Sequence, residues 1–120
     1  MFGRVVAIDR ASVTIDDFDY FGGDAAAQAY FEDTGQIGGP PNPVWLRDRN
    51  TSRTLVLGGS VSVEVIGLDV AGNPSPIPYD LDRLVAAVEH PEVSGLYWSP
   101  YFWFDTRDGV VTRIEEPYLP

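Results

Sequence analysis

Gly95 to Pro120, GLYWSPYFWFDTRDGVVTRIEEPYLP, constrains the fold more than any other part of the chain. Two extended segments flank Arg107-Asp108-Gly109, and the first carries the densest aromatic run in the sequence. Hairpin register decides which side chains reach a core, because a slip of one residue moves every side chain to the opposite face. A two-residue Asp108-Gly109 turn sets Phe104 opposite Arg113 and Phe102 opposite Glu115, mixing rings with charges. A three-residue loop with left-handed Gly109 pairs Thr106 with Val110, Phe104 with Thr112 and Phe102 with Ile114. That second register segregates the faces and is the expected one. It sends Phe102, Phe104, Val110 and Ile114 to the core, and Trp103, Asp105, Val111, Arg113 and Glu115 to the other side.

Upstream, Val6 and Ile8, then Val13 and Ile15, alternate across Asp9-Arg10-Ala11-Ser12. This predicts a hairpin in which Ile8 faces Val13, Val6 faces Ile15, and all four are core. The acidic, aromatic segment from Asp16 to Phe21 then meets Gly22-Gly23, which is expected to stop the strand. Asp24 is the expected N-cap and Gly35 the C-terminal glycine of a short helix whose Ala26, Ala29, Tyr30 and Asp33 share one side. After the proline-rich loop from Gln36 to Pro43, strands are expected at Val44 to Arg49, Arg53 to Leu57 and Val61 to Val65, with turns at Asn50-Thr51-Ser52 and Gly58-Gly59. The segment AGNPSPIP, Ala71 to Pro78, has proline at alternate positions and reads as an extended loop. Asp80-Leu81-Asp82 opens a second helix, where Leu81, Leu84, Val85 and Val88 recur at helical spacing before His90-Pro91 ends it.

About seven short strands and two short helices in one domain spanning residues 1–120 predict a mainly β, β-rich α+β fold. Its sheet is expected to be small, antiparallel and barrel-like, with the helices at its ends; an open α+β sheet is the alternative. A chain of 120 residues can bury enough surface to stand without staples. It has no cysteine, which removes thiolate chemistry and disulfides together.

The net charge is −10, from 18 acidic residues against 8 basic ones, and all 8 are arginine. Such a field repels nucleic acid and anionic lipid and favours cations or basic proteins as partners. The lack of lysine fits the codon usage of a high-GC bacterium. No window has the roughly 20 apolar residues of a membrane span, and the N-terminus runs into a strand pattern with no signal-peptide character.

No motif of a known chemistry is complete. His90 is the only histidine and stands at a helix end, where a solvated cap is its ordinary role. Neither G-x-S-x-G nor H-E-x-x-H occurs. The acids Asp17 and Asp19 are weak calcium candidates, but Phe21 and Gln28 occupy positions where an EF-hand needs oxygen ligands. No cofactor and no transition metal is expected. Arg47, Arg49 and Arg53 straddle a turn and suit surface ion pairs better than an anion site. Asp105 and Glu115 share a face, a weak signal for acid–base catalysis. The aromatic run is the strongest feature, because a strand sends only alternate rings inward and must leave Tyr101 and Trp103 on the far face. Tyr101, Trp103 and Trp98, with Arg113, are therefore the candidate ligand-binding residues.

Gly3-Arg4-Val5 through Ile15-Asp16, Gly23-Asp24-Ala25-Ala26, Leu46 to Asn50 with Arg53-Thr54-Leu55, and the ending GVVTRIEEPYLP resemble a family of small, mostly actinobacterial proteins. Many of that family are exported or lipid-anchored, and no activity is established for it. The resemblance covers most of the chain and departs at the proline-rich loop and the aromatic run. It implies an extracytoplasmic location. The leading functional expectation is a non-enzymatic binding or structural module of the bacterial envelope or exterior, holding a small ligand or protein on the aromatic hairpin. A small barrel enzyme with an acid–base carboxylate, and an acidic antagonist or immunity-type protein that binds a basic surface, are the alternatives.

Overall fold

The computed structural model describes residues 1–90, 96 and 100–117. Its elements run in the order β1 (Phe2–Ile8), β2 (Ser12–Gly22), α1 (Gly23–Thr34), β3 (Val44–Leu68), β4 (Pro74–Tyr79), α2 (Leu81–Glu89), β5 (Tyr101–Arg107) and β6 (Val110–Glu115). The protein is mainly β, a single six-stranded sheet in the order β2-β1-β5-β6-β3-β4, with β2 also bonded to β3. Five strands thus form a ring, and β4 is an edge strand outside it. All pairings are antiparallel except β3 with β6, which is parallel. No described helix is long and apolar enough to cross a membrane.

The ring encloses one apolar core. Val13, Ile15, Phe102, Phe104, Val111 and Ile114 are essentially without solvent contact, and Leu84 of α2 joins them from outside the sheet. Complete burial of side chains this size is worth about 1.5–3 kcal/mol each. α2 begins as expected: the Asp80 carboxylate accepts from the Asp82 amide, and Leu84 and Ala87 form its buried face.

The C-terminal hairpin corrects the expected register. Arg107 pairs with Val110 across a two-residue Asp108-Gly109 turn, and both turn residues have positive φ (52° and 77°), as a type I′ turn requires. Thr106 then pairs with Val111, but Asp105 pairs with Arg113, so Thr112 is an extra residue in β6. Such a bulge restores the segregation that the tight turn alone would have lost. Phe104 ends opposite Ile114, and Val111 rather than Val110 is buried. The first hairpin shows the same device. Ile8 faces Val13 as expected, but an irregularity between Val5 and Ala7 sets Val5 opposite Ile15 and leaves Val6 54% exposed.

Three other expectations fail. The glycine pair ends β2 at Gly22 as expected, but Gly22 itself is the N-cap of α1, with no side-chain bond, so Asp24 lies in the first turn and is not the N-cap. Gly35 closes that helix with φ 75°, as expected. The three strands expected between Val44 and Val65 are one continuous strand, in which left-handed Asn50 and the glycine pair produce register shifts and no reversals. Finally, Pro74 to Tyr79 is a strand paired with Leu68 to Val63. An edge strand offers its neighbour only every second N–H, so prolines at 74, 76 and 78 are tolerated there. They also blunt the exposed edge against pairing with another chain.

Candidate functional site

The β1–β5 pairing creates the main surface feature. Phe2 lies opposite Trp103, Gly3 opposite Phe102, and Arg4 opposite Tyr101. Alternation therefore puts Phe102 in the core and turns Phe2, Tyr101 and Trp103 to the outer wall. Two rings of β2 complete the group. Phe2 packs on Trp103 at 4.8 Å and on Tyr20 at 5.1 Å between ring centroids, and Tyr20 meets Trp103 at 5.0 Å. Tyr101 stacks parallel to Phe2 at 6.3 Å and takes Phe18 edge-on at 5.4 Å. Phe2 is buried under its neighbours, and the other four rings are half-buried. Burial raises the Tyr20 phenol above its ordinary value.

Phe2, Phe18, Tyr20 and Trp103 line an open groove of about 320 Å³ together with Met1, Asp17, Asp19, Arg49 and Arg53. That volume falls at the small end of ligand pockets, which start at about 300 Å³. β2 and β3 bring the charges together through a register shift between Asp16 and Phe18. Asp17 is 3% exposed, and its Oδ2 accepts from Arg53 Nη2 at 2.7 Å, Arg53 Nε at 2.9 Å and Thr51 Oγ1 at 3.1 Å. Asp19 Oδ1 stands 3.8 Å from Arg49 Nε. The two weak calcium candidates are thus engaged by arginines. Among the described residues no group of three or more His, Cys, Asp or Glu converges as metal ligands would.

Of the candidate ligand residues, Trp103 lines the groove and Tyr101 backs it through Phe2 and Phe18. Trp98 lies outside the described residues. Arg113 belongs elsewhere: its Nη2 bonds Glu64 at 2.8 Å and Glu115 at 2.7 Å. The bond to Glu64 and the charge of Glu115 raise its pKa. Its Nε is buried with no partner among the described residues. Asp105 pairs in register with Arg113 and Glu115 bonds it, so the two carboxylates expected as a weak acid–base pair both act on a guanidinium. Phe2, Phe18, Tyr20, Arg49 and Arg53 were not singled out for the site. The alternation of Phe18 and Tyr20 was a visible signal, whereas the place of Phe2 depends on which strand lies beside β1.

A second polar network anchors α1. Asp33 Oδ2 accepts from the Trp45 indole at 2.7 Å and from Arg47 Nε at 3.1 Å, and Tyr30 meets Trp45 edge-on at 4.9 Å. The indole bond, then the arginine, hold the Asp33 carboxyl below its ordinary value. Arg47 is raised by Asp33 and then Glu32, and its guanidinium also covers the Phe21 ring at 5.0 Å. These residues fasten the helix to β3.

No family model, curated protein or solved structure matches this chain.

Proposed function

We propose that the protein is a non-enzymatic binding module that holds a small ligand in the groove between the β1–β5 aromatic wall and the Asp17–Arg53 pair. The observation that carries this reading is the convergence of five aromatic rings from three strands on the wall outside the core, four of them keeping solvent contact. Large rings left half-exposed beside fixed polar groups are the usual furniture of a recognition surface. The groove favours binding over catalysis because its buried carboxylate already accepts three hydrogen bonds on one oxygen. A function at the bacterial envelope or exterior is part of the proposal and rests on the resemblance of the chain's end segments alone.

A fragment screen by amide and aromatic chemical-shift mapping tests it. Hits should perturb Phe2, Phe18, Tyr20 and Trp103 together, and Trp103→Ala should abolish them. Because Trp103 is half-buried against Phe2 and Tyr20, that variant should lose about 2 kcal/mol, below the roughly 3–5 kcal/mol of a fully buried ring. Trp103→Phe keeps the packing and should retain part of the binding. Hits gathered instead around exposed Phe31 of α1 and Ile37 in the segment after it would place the site elsewhere and refute the proposal.

A further inference from the structure

The charged side chains that rim the groove are matched to one another. Arg53 is bonded to Asp17 and Arg49 faces Asp19, so these four side chains sum to zero in a protein whose total is −10. A site for an ion sets uncompensated opposite charge toward its ligand. This one sets acceptors and donors side by side. Asp17 spends only Oδ2 on its bonds, and Oδ1 of this nearly buried carboxylate accepts none among the described residues. Arg53 uses Nε and Nη2 on Asp17, from a guanidinium that can donate five bonds. The groove thus presents a fixed acceptor beside a fixed donor, next to aromatic faces. A hydroxyl is donor and acceptor at once. A sugar ring combines a row of hydroxyls on its edge with a C–H face that lies flat on an aromatic ring.

Resting on the groove reading above, we infer that the ligand is a neutral pyranose, alone or within an oligosaccharide or wall polysaccharide. Its ring lies on the faces of Trp103 and Tyr20, and adjacent hydroxyls bridge Asp17 Oδ1 and Arg53. A neutral ligand brings no charge for salt to screen, so its affinity is nearly independent of ionic strength, whereas that of an ammonium or carboxylate ligand is not.

The test is a chemical-shift titration of the full chain with methyl β-glucoside, N-acetylglucosamine, cellobiose and diacetylchitobiose, alongside choline and benzoate as charged probes. Saccharides should perturb the four groove rings, with dissociation constants that change less than about twofold between low and high salt. Arg53→Gln should weaken them about fivefold or more, the loss of roughly one hydrogen bond. Because that variant disturbs buried Asp17, Asp19→Asn at the more exposed rim is the control for folding and should bind with smaller loss. Co-sedimentation with insoluble cellulose or chitin separates a wall polysaccharide from a soluble sugar as the source. Groove perturbation by choline or benzoate with none by any saccharide would overturn the ligand class and leave the groove reading standing. Fragment hits that also avoid the groove would remove both.

Discussion

Val110→Ala and Val111→Ala, compared with each other, test the hairpin at its least expected point. Val111 is fully buried between Leu57 and Thr106 in register, while Val110 keeps solvent contact beside the turn. Truncating Val111 withdraws two methyl groups from the core at about 0.8 kcal/mol each. Incomplete collapse of the space adds about 1 kcal/mol, at about 24 cal/mol per Å³ of residual cavity. The expected loss is therefore about 2.5 kcal/mol for Val111→Ala and under about 1 kcal/mol for Val110→Ala, where water fills the gap. Any loss of intrinsic strand preference is common to both and cancels in the comparison. For a domain of this size those figures correspond to falls in Tm of about 10 °C and under about 4 °C. Urea midpoints with an unchanged m-value are the cleaner measurement. Equal losses, or a larger loss for Val110→Ala, would mean that β6 has no bulge at Thr112 and that the unbulged three-residue loop is correct after all.

Gly3→Ala should destabilise the fold by about 1–3 kcal/mol, because a Cβ there would lie 2.6 Å from the Asp16 carbonyl oxygen and 3.2 Å from Ile15 Cδ1; a neutral result in thermal melts would show that β1 and β2 can separate locally. Asp33→Asn should lower the urea midpoint at neutral pH. Folding depresses the Asp33 pKa below its ordinary value of 3.8, so its contribution is complete above that value and fades as pH falls through the lower folded value. The gap between wild type and variant should accordingly narrow below pH 3.8, and a gap that stays constant down to the acid transition would contradict the role given to the Trp45 and Arg47 bonds.

Strand existence was legible because alternation is a local signal, and Val13 with Ile15, Val63 with Val65, and Phe102 with Phe104 all point inward where the pattern placed them. Parity across an irregularity was not legible. A bulge adds one residue without changing composition, so Val6 and Val110 looked as apolar as Val5 and Val111, and only pairing with the neighbouring strand decides which of each is buried. The proline segment failed for a different reason. Counting missing donors is right for a central strand, but β4 has one neighbour and needs half of its amides, so Ser75, Ile77 and Tyr79 are enough. Likewise Asn50 and Gly58-Gly59 carry real turn chemistry, which β3 spends on bending around the ring without reversing.

The site shows the same division between local and long-range information. Alternation alone was sufficient to put Tyr101 and Trp103 on the face away from Phe102 and Phe104, and the structure keeps them there. It could not supply their partners, because Phe2 meets Trp103 across 101 positions of sequence, by subtraction of their numbers, and no short-range pattern states that β1 lies beside β5. Nor could it show that Asp17 would bury itself. An aspartate in an acidic loop is ordinarily solvated, and its burial here depends on Arg53 and Thr51 of β3, which stand beside the register shift between Asp16 and Phe18. The groove is therefore a consequence of ring closure. β1 contributes the central aromatic, β5 and β2 flank it, and β3 returns with the guanidinium that lets a carboxylate sit at the groove with almost no exposure to water.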